Sequence, residues 1–238
     1  MPKVSADYFE NRKNQILDAA YRVSMSKPMH EVSMRDIILE SGFSQGGIYR
    51  YFSNIDDILI ELINRKSDYY DAGVKVDSII TTGSYPEEII SELFLLWKKA
   101  FLDNLIGVGK IYYELSVLYA NDAQRLVNFI SKSTLALEQN VFQEKSFSYV
   151  ITKTEEGYFK PKIPIENIMK LLITSFDGII RDMILAHHYK TDNHFLMMED
   201  LNGYSLIHSL CVSFILLLGG NEKLIKQEVF SGEQNKRD

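Results

Sequence analysis

Apolar residues recur at helical spacing from the start of the chain. Between Tyr8 and Ser26 they fall at Phe9, Ile16, Ala20 and Val23, with Ala19 beside them, and Lys27-Pro28 ends the pattern. Ser33-Met34-Arg35-Asp36 reads as a capping box, a serine oxygen facing first-turn amides with an acid three residues on, and it opens a short helix to Glu40. Ser41-Gly42-Phe43 predicts a three-residue turn, its glycine placed where a helix end needs a left-handed residue. Ser44 caps the next helix, predicted through Tyr51. Asn54 caps a fourth, from Ile55 to about Ala72, with Asp57 at its third position and Ile55, Ile58, Leu59, Leu62 and Ile63 as its buried stripe.

Beyond residue 72 the predicted helices lengthen. Val76 to Tyr85 reads as a looser patch, and Ser84-Tyr85-Pro86-Glu87 starts a helix whose apolar run spans Ile89 to Leu102. Val108 to Tyr119 and Ala123 to about Phe147 follow, parted by Asn121-Asp122. Residues 152–164 read as the longest loop. Two long helices close the pattern, about Ile165 to His188 and about Leu201 to Leu218, the second stopped by Gly219-Gly220. Apart from Pro2, each of the five prolines sits at a break between such stretches. The expected fold is all-α: an N-terminal three-helix helix-turn-helix domain, residues 1–66, joined to a C-terminal helical bundle, residues 67–238.

Composition narrows the class. Hydrophobic residues make up 46% of the 238 and charged residues 24%, the mix of a globular protein with a sizeable core. Cys211 is the single cysteine, which excludes an intrachain disulfide framework and a cysteine-based zinc site and points to a reducing compartment. The first residues lack an apolar run after a basic region, and Leu206–Leu218 falls short of the roughly 20 residues of a membrane span. The expectation is a cytoplasmic protein with no membrane attachment. A net charge of -6 argues at first against nucleic acid. Residues 1–66, however, hold 9 Lys and Arg against 9 Asp and Glu, which leaves 17 against 23 for the rest. A DNA-binding part must therefore be the N-terminal quarter, working by local placement of groups.

The segment VSMRDIILESGFSQGGIYRYFSNIDDIL has the plan of a helix-turn-helix, in which the second helix presents its N-terminal residues to base edges in the major groove. Ile37, Ile38, Phe43, Ile48 and Phe52 supply its apolar positions, leaving Ser44, Gln45, Gly46, Gly47, Tyr49 and Arg50 outward or partly so. Gln45 suits a bidentate contact to adenine, and Arg35 suits guanine or phosphate. Hydroxyls at Ser33, Ser44, Tyr49 and Tyr51 suit phosphate oxygens. Arg35 has an alternative, pairing with Asp36 or Glu40. Gly46 and Gly47 cost about 1 kcal/mol each against alanine in a helix. They serve either close approach of the backbone to bases or close packing within the protein.

From Arg12 to Leu59, with ILDAAYRV, VSMRDI and SGFSQGGIYRYF in order, the sequence resembles the DNA-binding domain of TetR-family transcriptional regulators. The resemblance implies a homodimeric repressor of a palindromic operator, with a small-molecule effector in the C-terminal domain. It also implies pairing of the last two long helices, about Ile165–His188 and Leu201–Leu218, between subunits. By motif position it places Gln45 and Gly47 at base contacts, Tyr49 at a phosphate, and Arg35 within reach of a base. Ile55 departs from the family pattern, which has a phosphate-gripping lysine there. That contact then falls to the helix amides or Asn54, or is lost, with Lys3, Arg12 and Lys13 as compensating cations.

Other chemistry is sparse. His187, His188 and His194 cluster with Asp192, but adjacent histidines on a helix point about 100° apart, so solvated helix-end residues are expected and no metal. Phe94, Trp97, Phe101, Tyr112, Tyr113 and Phe176 supply material for an apolar effector pocket. Glu114 and Asp177 are acids within apolar helices, suited to a cationic hydrophobic ligand or to plain ion pairs such as Asp177 with Arg181. No catalytic or cofactor motif occurs, and Gly107-Val108-Gly109-Lys110 is too short for a phosphate loop. Neither catalysis nor a cofactor is expected. The competing reading is a helical carrier or enzyme with a tri-helical head that binds no DNA.

Overall fold

A computed structural model describes residues 6–66, 71–104, 108–188 and 203–225. Their regular structure is helical: α1 (Ala6–Ser26), α2 (Met34–Ser41), α3 (Gln45–Tyr49), α4 (Ile55–Lys66), α5 (Ala72–Ile80), α6 (Pro86–Asn104), α7 (Lys110–Tyr119), α8 (Ala123–Lys132), α9 (Thr134–Glu155), α10 (Ile165–His188) and α11 (Gly203–Leu217). They divide into two compact units, one drawn from Met1–Tyr69 with Gly107–Leu137, the other from Tyr70–Ile106 with Glu138–Asp238. The division is discontinuous in sequence, whereas a split at residue 66 would be contiguous.

In the first unit α1, α2, α3 and α4 close on one core with α7 and α8. Ile16, Leu17 and Ala20 of α1 meet Ile37, Ile48, Ile58, Leu62 and Ile63, and Ile111, Leu115, Tyr119 and Phe129 complete the cluster. Local chemistry fixes the ends. Ser33 and Asp36 form the reciprocal capping box at α2, and Gly42 ends that helix with φ 70°. Ser44 Oγ accepts from Gly47 N at 3.2 Å to start α3. Asn54 and Asp57 exchange two hydrogen bonds at the start of α4.

The second unit packs α10 on α11 and α11 on α6. Buried Glu87, at the start of α6, accepts from Tyr158 Oη at 2.8 Å and Asn221 N at 2.9 Å. Lys160 N and Lys162 N satisfy the last carbonyls of α11, Leu218 O and Leu217 O. Gly219 permits this approach, for its φ is 78° and a Cβ there would lie 2.5 Å from Lys160 O.

Several boundaries differ from those read in the sequence, beginning with α3, which ends at Tyr49 and not at Tyr51. Helix α4 is described as far as Lys66, and α5 starts separately at Ala72, where Asp71 leaves the helical conformation, its Oδ1 accepts from Val74 N, and Glu138 Oε2 accepts from Ala72 N. The looser patch from Val76 thus begins inside a helix. Glycine and β-branched residues give AGVKVDSII low helix propensity, which burial of Ala72 and Val76 overrides. The predicted helix from Ala123 to Phe147 is two, because Ser133 turns extended and its Oγ accepts from Ala136 N. Helix α9 then runs on to Glu155, so the loop begins after it.

Candidate nucleic-acid interface and effector cavity

The helix-turn-helix leaves a consistent set of polar groups uncommitted. Gln45 and Arg35 are exposed, and neither has a hydrogen bond or ion pair among the described residues. Both acids open to Arg35 are taken: Asp36 pairs with Lys27 at 2.8 Å and Glu40 with Arg22 at 2.6 Å. Tyr49 is 46% exposed. Arg50 is exposed as well, its guanidinium 5.8 Å from the centre of the Phe9 ring. The two glycines separate. A Cβ on Gly46 would meet nothing within 4 Å, whereas one on Gly47 would press on Ser44 Oγ at 3.2 Å and on Phe43. Internal packing therefore explains Gly47 in part and Gly46 not at all.

Other predicted contacts have duties inside the protein. Ser33 gives its hydroxyl hydrogen to Asp36 Oδ2 and accepts from Asp36 N. Ser44 accepts a cap bond but keeps its hydroxyl hydrogen. Tyr51 is half-buried with its ring 5.7 Å from that of Phe9. Asn54 is held by Asp57. Ile55 packs against the core, so this position works inward where the family pattern has a cation. Of the compensating cations, Lys13 pairs with Glu61 at 2.6 Å, while Lys3 lies outside the described residues. Arg12 lies over the rings of Tyr8 and Phe43, beside the concave surface between the start of α1 and α3.

Two ionic assemblies brace this unit. Asp56, in the first turn of α4, accepts from Tyr119 Oη at 2.6 Å and from Arg125 Nε and Nη2 at 3.0 and 2.8 Å. Burial alone would raise the Asp56 pKa, but these bonds outweigh it and hold it below the usual value. Burial and the Asp56 charge push the Tyr119 phenol upward. Lys110 is 3% exposed and donates to Ser24 O at 2.9 Å and Lys27 O at 3.1 Å, at the end of α1. Its ammonium also pairs with Glu114, whose other oxygen accepts from Met29 N at 2.7 Å. Sequence reading dismissed Lys110 with the failed phosphate loop. The available signal was indirect: α1 has no basic residue in its last turn.

The proposed pocket residues divide between the units. Tyr112 stacks at a tilt on Phe129 in the first unit, where Tyr113 and Glu114 also sit on α7. Phe94, Trp97 and Phe176 come together in the second unit, with the Trp97 and Phe176 rings stacked 3.4 Å apart and nearly parallel. The Phe101 side chain lies outside what is described. Asp177 is on the exposed side of α10 without a hydrogen bond or ion pair among the described residues, and burial of its surroundings raises its pKa. Arg181 donates to Asp182 at 2.8 Å.

A cavity of about 30 Å³ lies beside Trp97. Helix α6 lines it with Ile90, Leu93, Phe94 and Trp97, and α9 with Phe142, Gln143, Ser146, Phe147 and Val150; Leu172 and Phe214 complete the wall. No acid is among these residues. Sequence reading missed the α9 contribution, because a single helix stripe does not reveal which helix it will face. The His187 and His188 side chains, with Asp192 and His194, fall outside the described residues. Among those described, no group of three or more His, Cys, Asp or Glu is arranged to hold a metal, and no helix is long and apolar enough to cross a membrane.

A short helix with a free polar face, held by a glycine turn against its partner and braced by a longer helix on either side, defines a helix-turn-helix DNA-binding protein. The model of the bacterial regulatory proteins of the tetR family matches residues 16–62, which run from α1 into α4. Relatives include the uncharacterized HTH-type transcriptional regulator YfiR of Bacillus subtilis (strain 168), 28% identical over 80% of this chain and 89% of that protein. The HTH-type transcriptional repressor KstR2 of Mycobacterium tuberculosis (strain ATCC 25618 / H37Rv) is 23% identical over 70% of this chain and 78% of its own length. Among solved structures, Salmonella enterica GusR shares the fold at a TM-score of 0.53 and 13% identity, covering 91% of this chain and 99% of its own. Residues 16–62 thus carry a helix-turn-helix of the tetR family, in a chain that is similar over most of its length to HTH-type transcriptional regulators.

Proposed function

We propose that this regulator is a homodimeric repressor, released from a roughly palindromic operator by a small hydrophobic ligand. The observation that carries the reading is the uncommitted outward set formed by Arg35, Gln45, Gly46, Tyr49 and Arg50. A merely structural three-helix head has no use for an exposed glycine in a five-residue helix. The name of the KstR2 relative supports the sign of regulation. Exposed apolar residues on the last two helices, Leu171, Leu206 and Leu216, support their pairing between subunits.

Two recognition helices related by a dyad read half-sites about 34–36 Å apart, or a multiple of that. The effector acts by binding one dimer state more tightly than the other, a coupling of typically 1–3 kcal/mol. Asp56 supplies a path within the first unit. Any displacement of α7 or α8 pulls through Tyr119 and Arg125 on the first turn of α4, directly after the recognition helix. Gel retardation with DNA from upstream of the gene tests the proposal. A sequence-specific complex containing two protomers is expected. No specific complex at low salt, with the dimer intact, favours the carrier or enzyme reading.

A further inference from the structure

We infer that the cavity beside Trp97 takes an uncharged, largely hydrophobic molecule bearing one hydrogen-bonding oxygen, which Ser146 engages. The inference rests on the effector-responsive reading above and specifies the chemistry of the effector. Its first support is Ser146 itself, 7% exposed, on the cavity wall, with no partner for its hydroxyl among the described residues. Several serines and threonines within helices of this chain return the hydroxyl to a carbonyl three or four residues back, and the other buried exception, Ser24, lies in the core of the first unit and does not line this cavity. Ser91 donates to Glu88 O, Ser116 to Tyr113 O and Thr154 to Val150 O. A buried hydroxyl left unpaired is unfavourable, and a hydrogen-bonding partner that reaches it offsets that cost.

The rest of the wall decides what that partner is. Among the described residues no carboxylate, ammonium, guanidinium or imidazole lines the cavity, so a charged group entering it would lose its hydration without compensation from them. Glu114, the acid that suggested a cationic ligand, belongs to the first unit and is paired with Lys110. Gln143 and the indole N–H of Trp97 are the other polar groups of the wall; Leu93, Phe94, Phe142, Leu172 and Phe214 present hydrocarbon. The space of about 30 Å³ admits one or two water-sized molecules, so a ligand enters by moving the walls. Trp97, between Phe142 and Phe176, stands at the boundary that must shift.

Trp97 is the only tryptophan of the chain, so its emission reports directly on this cavity. The full-length protein is titrated at neutral pH with 1-nonanol, nonanoate and nonylammonium. Saturable change with 1-nonanol at an affinity at least tenfold above either charged probe is expected. Ser146→Ala should weaken 1-nonanol about fivefold, the loss of one ordinary hydrogen bond. The same substitution should leave the urea midpoint of the free protein unchanged or raised, since no internal bond is lost. Equal affinity for a charged probe, equal affinity of the variant, or no response to any probe overturns the inference. A parallel arm adds 1-nonanol to the complex with upstream DNA. If 1-nonanol binds as described but the complex persists, the effector reading fails while the ligand chemistry stands.

Discussion

Gly46 and Gly47 are adjacent and chemically identical, yet their surroundings assign them different reasons. Gly46 faces open space, so Gly46→Ala is expected to stabilise the protein by up to about 1 kcal/mol through helix propensity while weakening operator binding. Urea unfolding and gel retardation on the same variant check both signs; unchanged DNA affinity would remove close backbone approach from the account. Acid stability belongs to this scale too. Lys27 and Ser33 lower Asp36 from 3.8 to about 2, and Arg125 and Tyr119 hold Asp56 below its ordinary value against the opposing effect of burial. Both carboxylates bind fewer protons folded than unfolded. Their stabilisation is therefore complete above the unfolded value and drains away as pH falls toward 2. The urea midpoint should drop across that window, less steeply in Asp36→Asn. The helix-turn-helix was legible in the sequence because its helix caps and glycine turn are local. Asn54 and Ser33 were legible as caps, but a cap residue offers the same polar atoms a phosphate contact would use, and only coordinates show where they are spent.

Helix ends with local caps were anticipated, and those secured by distant residues were not. The end of α1 is closed by Lys110, 86 and 83 positions along the chain from the two carbonyls it meets, and α4 is held by Tyr119 and Arg125. Apart from the lack of a basic residue in the last turn of α1, nothing within α1 or α4 announces such partners. For the same reason α5 was missed, since its helicity comes from burial of Ala72 and Val76, and the α8–α9 break passed unnoticed at a serine whose cap geometry depends on backbone direction. Lys110→Met should destabilise the protein by roughly 3–5 kcal/mol, because it strands Glu114 and two carbonyls in a buried setting. Lys110→Met with Glu114→Gln should recover part of that loss in urea unfolding. A loss under about 1 kcal/mol in the single variant would show that the ammonium is not needed there.

The charge of -6 lies outside residues 1–66, so an acidic molecule carries a neutral DNA-facing head. With Ile55 packed inward and Lys13 paired to Glu61, few cations are left for phosphates, and specificity must come from base contacts and geometry. In the proposed dimer, two-fold assembly through α10 and α11 supplies the geometry. Leu206→Asp is expected to give monomers in sedimentation where the unaltered chain gives dimers, and an unaltered chain that is monomeric at micromolar concentration would refute that interface. The central claim is that the helix from Gln45 to Tyr49 reads bases. Selection of binding sites from random duplexes, performed in parallel with the unaltered protein and with Gln45→Ala, tests it most directly. The account predicts a dyad-symmetric site for the former and relaxed preference at one symmetric base position for the latter, with a cost of about 1–3 kcal/mol on the original site. Identical sites and affinities for both proteins would contradict it.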